Sequence, residues 1–145
     1  MNVFSAMEII STGLAAERTR LNITASNMAN AQTTRTAEGG PYKRKDPVFE
    51  SEPMVNRFQE LLNDRIARQA QGVRTVQIVE DQNPPQMVYE PGHPDANIQG
   101  YVAYPNVSAV EEMVNMMMAA RAYEAGTTAM QAVNGMANSA LQIGR

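Results

Sequence analysis

The chain has 145 residues, 43% of them hydrophobic, a net charge of -3 and no cysteine. That length suits one domain, the missing cysteine excludes a disulfide framework or thiolate metal site, and the acidic balance argues against a general nucleic-acid binder. No run approaches the roughly 18 consecutive apolar residues of a membrane span, and Glu8, Glu17, Arg18 and Arg20 interrupt any secretory h-region near the start. All eight prolines lie between Pro41 and Pro105, which divides the chain into helical flank, irregular middle and helical flank.

In the first flank Val3, Met7, Ile10, Leu14, Leu21 and Met28 recur at alternating spacings of four and three, with Glu17 and Thr24 at the remaining seam positions. The spacing predicts a helix from about residue 2 or 3 to 30 with one narrow apolar stripe. Such a seam needs a partner helix, and the other end of the chain offers one. Gly13 reads equally as a tolerated weak point or as a site of close helix approach.

Gly39-Gly40-Pro41 is a turn signal, and residues 42–50 then read as an extended segment that Pro47 confines to an edge or a bulge. The cluster Lys43-Arg44-Lys45 reads as a solvated strand face. Residues 54–70 carry Phe58, Leu61, Leu62 and Ile66 on one helical face and predict a short amphipathic helix. Strands follow at 73–79, 86–89 and 100–104, separated by Asn83-Pro84-Pro85 and by Pro91-Gly92-His93-Pro94-Asp95, enough for a small antiparallel patch.

The second flank predicts a helix of about 35 residues, roughly 50 Å long. Asn106 or Ser108 caps it, and Glu111 and Glu112 sit in its first turns, where the helix dipole favours acid. Its stripe runs through Met113, Met116, Ala120, Tyr123, Thr127, Met130, Asn134, Ala137 and Leu141. Methionine, Met117 included, suits irregular partner surfaces, and many alanines keep the rest of the helix slim enough to pack on more than one side. Two such helices alone are marginal, so the ends are expected to order when other chains surround them. The expected fold is mainly helical, α+β, with segments at 1–34, 35–105 and 106–145.

Chemistry is scarce. His93 is the only histidine and lies in a tight turn without an evident catalytic partner, while Glu111 and Glu112, adjacent on a helix, point apart. No phosphate loop, nucleophile motif or spaced metal-ligand set occurs, and no cofactor is implied.

Ser26-Asn27-Met28-Ala29-Asn30-Ala31-Gln32-Thr33-Thr34 resembles the Ser-Asn-x-Ala-Asn-x-x-Thr signature of the axial rod and hook proteins of the bacterial flagellum. Gly39 to Arg44, Val88 to Ala96, Gly100 to Val107 and Glu111 to Val114 narrow the resemblance to a proximal-rod component, and only residues 50–71 match weakly. The resemblance implies paired terminal helices lining an export channel, an outward middle domain, and helical stacking with other rod proteins into a torque-transmitting shaft. It implies passage through the flagellar export apparatus without a cleaved signal peptide, and a place in the basal body within the periplasmic space. Implied partners are further copies, other rod proteins, the export apparatus and adaptor at the rod base, and surrounding ring proteins, with no nucleic acid and no membrane insertion. By the same resemblance Ser26, Asn27, Ala29, Asn30, Thr33 and Thr34 turn the chain out of the axial helix, and the Met113–Leu141 helix is the main surface between subunits. A different axial protein, an enzyme centred on His93 and a coiled-coil export chaperone are the alternatives.

Overall fold

The computed structural model describes residues 3–53 and 71–143. Helix α1 spans Val3–Ala29, strands β1 to β4 span Lys45–Pro53, Gln71–Glu80, Gln86–Tyr89 and Tyr101–Tyr104, and helix α2 spans Ala109–Ile143. The fold is α+β, as expected. The helix predicted at 54–70 lies outside the described residues.

The helices pair antiparallel, with Leu14 level with Gly126 and Asn27 level with Glu112. A methyl group on Gly126 would stand 2.8 Å from Leu14 Cδ2, whereas one on Gly13 would meet nothing within 4 Å. Close approach therefore occurs at Gly126, and Gly13 is merely tolerated. Ser108 caps α2, its Oγ accepting the Glu111 N–H at 3.4 Å, and Asn106 instead faces Gln86 at 3.3 Å.

The two helices each depart from the sequence reading in one respect. The seam of α2 is turned by about one residue, so that Glu112, Ala119 and Val133 are its buried positions while Met113, Asn134 and Leu141 stand in solvent. The many alanines and methionines leave a broad apolar arc, and periodicity alone does not centre it. Helix α1 also packs against β1 and β2 as well as α2, so its most buried residues are Ala16, Ile23, Thr24 and Asn27, while the six apolar residues of the predicted stripe are half-buried.

The strands form two separate ribbons rather than one patch. In the first, β1 and β2 pair antiparallel from Lys45↔Glu80 to Pro53↔Gln71, and the register skips Val76 between Val48↔Gln77 and Phe49↔Thr75. The bulge falls beside Pro47, which has no N–H to give a ladder. This ribbon lies along α1: the Val73 N–H donates to Thr12 Oγ1 at 3.1 Å, and the Arg20 guanidinium stacks 5.1 Å from the Phe49 ring centre. In the second, β3 and β4 pair from Gln86↔Tyr104 to Tyr89↔Tyr101. Val102 on this ribbon is completely buried, and Tyr89 meets Tyr101 edge-on at 5.3 Å.

Candidate functional site: the clasp at the end of helix α1 and the outer helix faces

Asn27 lies in the last turns of α1, and the chain leaving that helix doubles back through a Thr36–Gly40 turn to deliver Tyr42, Arg44 and Lys45 beside it. Gly39 and Gly40 take φ of 89° and 80°, a conformation that side chains disfavour. Asn27 and Glu112 are each only 1% exposed. Asn27 Nδ2 donates to the Lys45 carbonyl at 2.8 Å and to Glu112 Oε2 at 3.1 Å. Asn27 Oδ1 accepts the Lys45 N–H and the Tyr42 hydroxyl, both at 2.9 Å. The amide thus uses both its donors and both its acceptor positions.

Glu112 Oε1 accepts Arg44 Nε at 2.8 Å, and the same guanidinium pairs with Asp46. Burial pulls the Arg44 pKa down, but the hydrogen bond to Glu112 and the charges of Asp46 and Glu112 outweigh it and raise it overall. A buried charge that is both paired and hydrogen-bonded avoids the cost of an isolated one. The clasp therefore ties the end of α1, the root of the first ribbon and the first turn of α2 at one point.

Arg44 is thus no solvated strand residue, although Lys43 and Lys45 do stand outward and reach Glu80 at 3.9 Å and 3.7 Å. Glu112 is likewise more than a helix-start charge. A carboxylate at the first position of the four-three row Glu112, Met116, Ala119 and Tyr123 is the sequence signal that marks it.

Among the other motif residues, Ser26 is exposed with its Oγ 3.5 Å from the Tyr42 hydroxyl, and Ala29 ends the helix. Asn30 donates to the Ser26 carbonyl at 2.9 Å and accepts from Thr33 Oγ1 at 3.2 Å, which closes the helix end locally. Thr34 Oγ1 donates to Asp95 at 2.8 Å and so fastens this exit to the turn before β4. His93 belongs to that turn, where its Nδ1 accepts the Asp95 N–H at 3.1 Å. Asn27→Asp is expected to destabilise the purified chain by about 2–3 kcal/mol in urea unfolding, because it removes two donors and adds a second carboxylate beside Glu112.

On α1 the predicted interface residues Val3, Met7, Ile10, Leu14, Leu21 and Met28 are half-buried. On α2 Met116, Ala120, Tyr123 and Met130 are half-buried, whereas Met113, Met117 and Leu141 are exposed. Val110, Val114 and Met118 join Met113 and Met117 in an open apolar face over the first three turns of α2. Among the described residues no helix is long and apolar enough to cross a membrane.

Residues 7–35 match the family model described as flagella basal body rod protein, and residues 98–143 match that of the flagellar basal body rod FlgEFG protein C-terminal. The chain is 41% identical to the flagellar basal-body rod protein FlgC of Borreliella burgdorferi, over 99% of this chain and 98% of that one. It is 38% identical to the Bacillus subtilis protein of the same name, over the full length of both. The chain belongs to the flagellar basal-body rod protein C family. The Salmonella typhimurium rod protein C, at 38% identity over the full length of both chains, agrees. This rod protein is thus a structural subunit of the basal-body rod. The matched segments contain Asn27 and Glu112, so the clasp joins the two regions that mark the family.

Proposed function

We propose that the subunit enters the rod through its terminal helices, with 1–34 and 106–145 as the axial part and 35–105 as the outward part. Helix α2 is seated on α1 by one face, while the opposite face of its first turns offers Met113, Val114, Met117 and Met118 to solvent. Contiguous apolar patches of this kind mark protein contacts. Further copies of the chain and other rod proteins cover that face, and the assembled helices line the export channel and carry torque. The subunit reaches the periplasmic part of the basal body as an unfolded chain through the export apparatus, meeting the adaptor at the rod base, and ring proteins surround its outward part.

The open face of α2 carries this reading. Met117→Glu, at a residue 56% exposed, is expected to leave the helical content of the purified chain unchanged and to abolish its incorporation into basal bodies and motility. Normal incorporation and swimming with both Met117 and Met118 changed to glutamate would remove α2 as the joining surface.

A further inference from the structure

The outer faces of the two helices carry matching charge patterns. On α1 the exposed residues Glu8, Ser11, Ala15, Arg18, Asn22 and Ala25 follow spacings of three and four. On α2 the exposed residues Glu111, Val114, Met118, Arg121, Ala125 and Thr128 follow the same spacings. Each row begins with glutamate and has arginine in its fourth place, ten residues later. Among the described residues, none of Glu8, Arg18, Glu111 and Arg121 has an ion-pair partner. Rows of this spacing run along one face of a helix, and within one chain these two face away from the α1–α2 pairing.

We propose that the outer face of α1 docks antiparallel on the outer face of α2 of a second copy, in the single register that pairs Glu8 with Arg121 and Arg18 with Glu111. Between these ion pairs the same register sets Ser11 against Met118 and Ala15 against Val114, so each large side chain meets a small one. Parallel docking would oppose Glu8 to Glu111 and Arg18 to Arg121, and like charges at an interface select against it. Because α1 and α2 are antiparallel within each copy, antiparallel docking leaves neighbouring copies pointing the same way.

Within one chain Leu14 is level with Gly126, so the proposed contact displaces a neighbour by about eleven residues, roughly 16 Å at about 1.5 Å per residue. The contact joins two different surfaces, so it is heterologous, and with an axial displacement it does not close into a ring but continues as a helix. This rests on the rod reading above and adds to it the partner face and the step.

Charge exchange tests it in cells lacking their own copy of the chain. Glu8→Arg and Arg121→Glu are each expected to lower incorporation into basal bodies about tenfold or more. The pair together is expected to restore it to near the parent level. The missing cysteine allows a second readout, since Ala15→Cys with Val114→Cys should give disulfide-linked neighbours in oxidised rods, and Ala15→Cys with Ala125→Cys, the undisplaced register, should not. Single reversals without effect, a double variant no better than the singles, or cross-linking only through position 125 would each overturn the proposal. Incorporation of the unaltered chain reads the rod assignment separately, so a parent that assembles while the register variants behave in this contrary way refutes the register alone.

Discussion

Replacement of Glu112 by alanine is expected to destabilise the chain by about 3–5 kcal/mol, from the loss of two hydrogen bonds to a buried carboxylate at about 1.5–3 kcal/mol each. The side chain is 1% exposed and receives Arg44 Nε at 2.8 Å and Asn27 Nδ2 at 3.1 Å. Its loss leaves the Arg44 guanidinium with Asp46 as its remaining charge partner and strands an amide hydrogen of Asn27 in the interior. Urea unfolding of the purified chain measures this, and Glu112→Gln should be milder because an amide oxygen still serves Asn27. A double change, Glu112→Ala with Arg44→Met, should recover part of the loss by removing a half-buried charge that has lost one of its two carboxylate partners. If alanine at 112 shifts the urea midpoint no more than alanine at the exposed Glu111, the clasp does not hold the helices.

A second large effect is expected at Gly100. Its φ of +81° lies where side chains are strained, and an added methyl group would stand 2.8 Å from Tyr89 Cε2 and 3.3 Å from Pro91 Cβ. The neighbouring backbone leaves little room to adjust, because the Glu90 N–H donates to the Gly100 carbonyl and the Gly100 N–H to the Asn97 carbonyl, both at 2.9 Å. Gly100→Val is expected to cost about 2–5 kcal/mol from backbone strain and overpacking together. The Tyr89–Tyr101 contact should loosen with it, seen as a weakened tyrosine signal in near-ultraviolet circular dichroism. Gly92→Ala, where a methyl group meets nothing within 4 Å, is the control and should change stability by less than about 0.5 kcal/mol.

The long helices and short strands were legible because their signals are local. Proline placement, Ser108 with its acidic first turn, and alternation around Val102 each act within a few residues. β3 lies at the predicted Gln86–Tyr89, and β4 begins one residue after the predicted 100. What sequence left undetermined depends on distant partners. Arg44 reads as one of three exposed basic residues until Glu112, 68 positions away, is placed against it. Periodicity misplaces the rotation of α2 for a related reason: with alanine on most sides, the position of Gly126 under Leu14 decides which arc is inward. Asn27 stood out through its motif, but the need for asparagine rather than another small polar residue follows from its four hydrogen bonds.

The clasp also bears on when the chain can fold. Its contact between Asn27 and Glu112 spans 85 positions, so closing it forfeits the freedom of most of the molecule before any contact inside the loop returns it. Contacts of such high sequence separation make folding slow. A chain synthesised from its first residue onward has no Glu112 for Asn27 until the final third is made, and until then, among the described residues, α1 has the first ribbon to lie on. The latch that gives the finished subunit one fixed shape is therefore also a delay, keeping the chain loose for as long as helix α2 is missing.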